Sequence, residues 1–169
     1  MEDLKNKLSP EAYSNLDKWL TDPEFTAYRE EINKLISENN IIELEDAFYT
    51  RIRIGTGGIR GKIGAGPNRI NLRTIGEAAQ GLANFISDFG QEAKEKGVVV
   101  GHEVRKNSRE FAKLTCSVLA ANGVRTFLFD GIRSTPELSF AVRHLKAIAG
   151  VQLTASHNPR TDNGFKFFW

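Results

Sequence analysis

Three short apolar runs, VVVGHE (98–103), VRTFLFD (124–130) and AGVQLTA (149–155), recur with a helix-length stretch between each pair, and this alternation constrains the fold more than any other feature. Runs of this length are too short for helices and too uniformly apolar for a half-exposed strand, so they read as strands covered on both faces. Neighbouring parallel strands need a crossover, and the intervening stretches supply it. Ser108 opens a helix with Phe111, Leu114, Val118 and Leu119 inward and Gly123 as its stop; Thr135 and Pro136 open another that runs to about Lys146. Upstream, Asn71 caps a helix with Ile75, Ala79, Leu82, Ile86 and Phe89 on one face before Gly97 ends it, and RIRIG (51–55) alternates as a strand does. The expected fold is α/β, a three-layer α/β/α sandwich with a mainly parallel mixed sheet. Residues 9–39 are helical in periodicity, with start signals at Ser9–Pro10 and Pro23, so residues 1–45 are expected to form a helical arm bracing an α/β domain over 46–169.

Charge narrows the partners. The 23 basic and 21 acidic residues are dispersed and give a net charge of +2, with no basic block to follow a nucleic acid backbone or a membrane surface. No apolar run approaches the roughly 20 residues of a membrane span, and MEDLKNKLSPEAY is too charged for a secretory signal, so a cytoplasmic protein is expected. Cys116, the one cysteine, lies in an apolar helical stretch and reads as a structural thiol.

The glycine-rich GTGGIRG (55–61) fails both familiar phosphate-loop patterns. In G-x-G-x-x-G the third glycine falls on Arg60; in G-x-x-x-x-G-K-[ST], Thr56 replaces the first glycine and Ile63 the hydroxyl residue. What remains is a permissive backbone beside Thr56 and Arg60, suited to an anion but equally to a plain strand-to-loop turn.

The closing stretch, TASHNPRTDNGFKFFW (154–169), carries the densest chemistry. A Ser156–His157 hydrolase pair is disfavoured, since sequence neighbours in extended backbone face opposite ways and no G-x-S-x-G elbow is present. Pro159 holds Asn158 extended, which suggests a rigid loop presenting Ser156 at the carboxyl end of a strand, where open α/β sheets bind ligands. Asn163–Gly164 reads as a turn returning Lys166 toward Ser156, with Phe165, Phe167 and Trp169 on the opposite face. Lys166 alone reads either as an edge-strand gatekeeper or as a catalytic group.

Taken together, GTGGIRG, VVVGHEVRKNS (98–108), STPELSF (134–140) and TASHNPRTDNGFK (154–166) resemble the N-terminal domain of the α-D-phosphohexomutase superfamily, the phosphoglucomutases and phosphomannomutases. The helical arm, EDAFY and DNGFKFFW are most similar to the branch of bacterial-type phosphoglucomutases and phosphopentomutase-like enzymes. The resemblance implies an isomerase in which Ser156 carries a phosphoryl group, exchanges it with a sugar phosphate such as glucose 1-phosphate and works through a bisphosphorylated intermediate. It implies Lys166 as acid/base, Arg60 as the cation stabilising the phosphoserine region, His157 as a substrate contact, and Thr56, Gly57, Gly58, Thr154 and Asn158 as substrate-binding. It also implies Mg²⁺ on the Ser156 phosphate, completed by aspartates of a later domain, and an activator of the glucose 1,6-bisphosphate type. The family's G-x-D-x-R becomes Gly101, His102, Glu103, Val104, Arg105, and no two aspartates stand two residues apart, so the metal motif is absent. Later domains are therefore expected beyond Trp169, with the 169-residue chain inactive alone. Two other classes stay open: a non-catalytic phosphosugar-binding or regulatory module, and, more remotely, a dinucleotide-binding domain.

Overall fold

The computed structural model describes residues 2–55 and 57–169. The arm comprises α1 (Glu2–Lys7), α2 (Pro10–Thr21), a 3-10 helix (Pro23–Tyr28), α3 (Arg29–Ser37) and α4 (Ile41–Phe48). Its breaks follow from capping: the Ser9 side chain accepts from Ala12 N–H, and Asp22 accepts from Glu24 N–H just where Pro23 withdraws a donor. The arm has a core of its own, with Leu16, Ile32, Leu44 and Phe48 buried around Trp19, whose ring stacks on Phe25 at 4.3 Å. The expected boundary between residues 45 and 46 falls inside α4. Arg69 ties arm to sheet domain: its side chain is 4% exposed and bonds Glu43 at 2.5 Å and Asp46 at 2.7 Å, while Glu31 accepts from Ala65 N–H. Burial of Glu43 opposes its charge, yet hydrogen bonds from Lys62 and Arg69 outweigh this and hold its carboxyl below the ordinary range.

The α/β domain runs β1 (Gly58–Lys62), α5 (Leu72–Ser87), α6 (Gly90–Lys96), β2 (Val98–His102), α7 (Ser108–Ala121), β3 (Thr126–Leu128), α8 (Thr135–His144), β4 (Ala149–Leu153) and β5 (Asp162–Phe168). The sheet order is β1-β5-β4-β2-β3; β3, β2 and β4 are parallel, and β5 runs against both β4 and β1. Four strands therefore share one direction, as the mainly parallel expectation required. Alternation divides the strands between two helix layers. Val98, Val100, Val151, Leu153 and Phe165 pack with Ile75, Ala79, Ile86, Phe111 and Leu119 of α5 and α7. On the other face Gly101 and Gly150 lie under Leu138 of α8, where a side chain at Gly150 would collide with Val142.

Several local expectations are corrected. RIRIG joins no ladder; Arg51, Arg53 and Ile54 are exposed, and the strand is GIRGK because β5 offers its backbone partners only from Gly58 onward. Phe89 is not on the packed face: α5 stops at Ser87, Gly90 adopts φ 82°, and Phe89 joins Phe85 and Trp169 in a surface cluster. Asn163–Gly164 is not a turn but lies within β5, with Asn163 fully buried and its amide donating to Lys106 O and Ser108 Oγ. The reversal lies earlier, over 155–162, closed by Asn158 N–H to Ala155 O and Asp162 N–H to Pro159 O.

Candidate active site

At the carboxyl end of β4 the chain leaves the sheet through Thr154 and Ala155 into an exposed loop beginning at Ser156. Ser156 has φ 58°, the left-handed region, which ends the extended alternation. For that reason Ser156 Oγ and His157 Nδ1 approach to 3.4 Å despite being neighbours, a contact too long to activate a nucleophile.

The loop is organised from the end of β2. Arg105 uses all five of its N–H donors: Nε to Glu103 at 2.7 Å, one terminal nitrogen to Pro159 O and Asp162 O, the other to Ser156 O and Asn158 O at 2.8 Å each. Glu103 also accepts from the Thr154 hydroxyl at 2.6 Å, and that oxygen accepts from Ser156 N–H at 2.9 Å. Thr154 thus holds the loop from within, buried, and Asn158 fastens it by donating to Asp162 at 2.9 Å. The longer carboxylate in place of aspartate still spans Thr154 and Arg105. A cleft of about 700 Å³ opens beside this network, lined by Glu103, Arg105, Lys106, Asn158 and Arg160 among others.

Arg60 and Lys166 come from the adjoining β1–β5 ladder. Lys166 faces Gly58 across one register and Gln152 across the other, while Arg60 faces Gly164, which puts both cations on the sheet face shared with Thr154. Among the described residues neither has an acidic partner. The Lys166 stem passes beside Gly57, and its ammonium sits over the Phe168 ring at 5.2 Å. The return strand therefore places Lys166 on the site face, with its charge engaged by that ring rather than by the serine. Gly58 has φ 132° and its Cα lies so close to Phe165 O that any Cβ would overlap it, so its identity has a backbone reason independent of ligand. Thr56 lies outside the described residues.

Sequence reading leaves Arg105 without a role and takes Asn163 for a turn residue. The signal that could have found them is positional: GHEVRKNS leaves β2 at the same sheet end where TASHNP leaves the parallel neighbour β4. Among the described residues, no three His, Cys, Asp or Glu side chains are grouped to hold a metal, and no helix is long and apolar enough to cross a membrane. Cys116 is half-buried, and desolvation pushes its thiol up to about 11, in keeping with an inert structural role.

Comparison with known proteins places the chain in a family. Residues 51–169 match the family model described as "Phosphoglucomutase/phosphomannomutase, alpha/beta/alpha domain I". A "Probable phosphoribomutase" of Schizosaccharomyces pombe is 39% identical over 154 residues, 91% of this chain and 26% of the relative. Human "Phosphopentomutase" is 36% identical over 90% of this chain and 26% of its own length, and mouse "Glucose 1,6-bisphosphate synthase" 35% identical over 95% and 27%. The last match, over 166 residues, takes in nearly all of the helical arm. A crystal structure of a "putative phosphomannomutase" of Thermus thermophilus superposes with TM-score 0.62 at 40% identity, covering 70% of this chain and 25% of that one. The chain spans about a quarter of the length of the curated relatives it matches.

Proposed function

The chain belongs to the phosphoglucomutase/phosphomannomutase family as its α/β/α domain I, and we propose that it supplies the phosphoserine half of a phosphosugar mutase, with Ser156 as phosphoryl carrier. The observation that carries this is the exposed, left-handed Ser156 at the carboxyl end of β4, with its backbone tied down on both sides and its side chain open to solvent. In the forward half-reaction the P–Oγ bond of phosphoserine breaks, a P–O bond forms to a sugar hydroxyl, and that hydroxyl's proton passes to a base. The return step reverses this with the sugar's other phosphoryl group, after the bisphosphate has turned over. Phosphoryl transfer asks mainly for position and positive charge, which Arg60 supplies from β1.

Lys166 takes the proton-transfer role on this reading, its ammonium leaving the Phe168 ring for a bound hydroxyl. On this reading His157, exposed beside Ser156, and Asn158 contact the sugar phosphate, with Thr56, Gly57, Gly58 and Thr154 assigned as further binding residues. Mg²⁺ would be held here only through the Ser156 phosphate, whose hard oxygens suit it, with the remaining ligands from elsewhere in the protein; it would offset phosphoryl charge. A bisphosphate activator would charge Ser156 for the first turnover. The named relatives make pentose and hexose phosphates the substrate classes to try, and a cytoplasmic setting belongs to the same reading. The test is direct: the complete protein, incubated with glucose 1,6-bisphosphate, should gain one phosphate, located at Ser156 by peptide mass mapping and absent in Ser156→Ala. Phosphate on another residue, or turnover surviving Ser156→Ala, would refute the proposal.

A further inference from the structure

We infer that Arg105 is the positioning residue for phosphoryl transfer, the group that sets where the Ser156 oxygen stands; this rests on reading Ser156 as the carrier. The two backbone polar groups of Ser156 end on one carboxylate–guanidinium pair. Its carbonyl accepts from Arg105 directly, and its N–H reaches Glu103 through the Thr154 hydroxyl, while Glu103 itself accepts from Arg105 Nε. A residue with a side chain seldom occupies φ 58° unless its surroundings over-determine it, and here Arg105, with Glu103 and Thr154 joined to it, supplies the determination.

The guanidinium is a hub for the whole loop. It draws the carbonyls of Ser156, Asn158, Pro159 and Asp162 to one inner point, and the Ser156 and His157 side chains are left exposed outside it. Arg105 itself is 12% exposed at the side chain and lines the cleft beside the loop. All five donors have acceptors, a planar fork that a lysine, with three donors on a compact head, cannot reproduce. A small displacement of the serine oxygen costs rate steeply when the transfer depends on in-line geometry, whereas binding of the distal part of a substrate does not depend on it.

The experiment uses the complete protein, with Ser156 phosphorylation read by intact mass, kcat and KM measured on glucose 1-phosphate and ribose 1-phosphate, and thermal unfolding as control. Arg105→Lys is expected to fold, to carry phosphate on Ser156, and to lose about 10²-fold in kcat with KM changed less than about threefold. Arg105→Ala should regain part of its kcat when free guanidinium is added. Thr154→Val, which keeps shape but removes the oxygen under Ser156 N–H, should lose about tenfold in kcat with its unfolding midpoint kept. If the wild type is phosphorylated on Ser156 and Arg105→Lys keeps kcat within about twofold, or if its loss matches the fraction unfolded, the inference is overturned while the reading of Ser156 stands. A wild type that turns over without phosphate on Ser156 overturns both.

Discussion

Gly58 lies directly opposite Lys166 in the β1–β5 ladder, with its Cα pressed against the carbonyl of Phe165, so the glycine loop and the lysine are one piece of sheet. The glycine is set by backbone approach on one strand, and the half-buried cation on the other rests over the Phe168 ring.

Gly58→Ala is therefore expected to destabilise the domain by about 3 kcal/mol, combining strain at φ 132° with overlap on Phe165 O. Gly57→Ala, whose Cβ meets only the Lys166 stem at 4.0 Å, should cost less than about 1 kcal/mol. Urea unfolding of the two variants provides the comparison, and equal midpoints would contradict the close approach.

In the complete protein Ser156→Ala should abolish nearly all turnover with stability unchanged to within about 0.5 kcal/mol, since the serine side chain is exposed and makes only the 3.4 Å contact to His157. Lys166→Ala should lower kcat by about 10²- to 10⁴-fold while phosphate on Ser156 is still detected. Turnover in Lys166→Ala near wild type would remove the lysine from the proton-transfer role.

Acid should loosen the arm from the sheet domain through Glu43. Its folded carboxyl titrates below the ordinary 4.5 because the hydrogen bonds from Lys62 and Arg69 overcome the burial that opposes its charge. The contribution is accordingly present above pH 4.5 and is lost as the pH falls through the lower folded value. Thermal midpoints followed from about pH 6 to about pH 3 should drop less steeply in Glu43→Gln than in wild type; parallel curves would show that Glu43 is not linked to folding.

Cys116, with its thiol raised to about 11, should react with a disulfide reagent at mildly alkaline pH about 10²-fold more slowly than free cysteine and reach normal speed only on unfolding. Rapid labelling of the folded chain would contradict its burial.

The layering of the domain was written locally in the chain. Apolar runs at 98–103 and 149–155 became β2 and β4, Asn71 capped α5, and α7 and α8 began at Ser108 and Thr135, because start signals and periodicity are read over one or two turns; the cap of α8 is Ser134, and α7 follows left-handed Asn107 with no side-chain cap. The motif around Ser156 was legible for the same reason: its residues are contiguous. Whatever depends on a partner distant in the chain was settled only by folding. GIRGK is a strand, and RIRIG is not, because β5 arrives from far downstream; Asn163 is a buried anchor because Lys106 and Ser108 lie beside it. Arg105 became the hub of the loop only when parallel β2 and β4 brought their carboxyl ends together, since a guanidinium's acceptors are fixed by the fold and not by its neighbours in sequence.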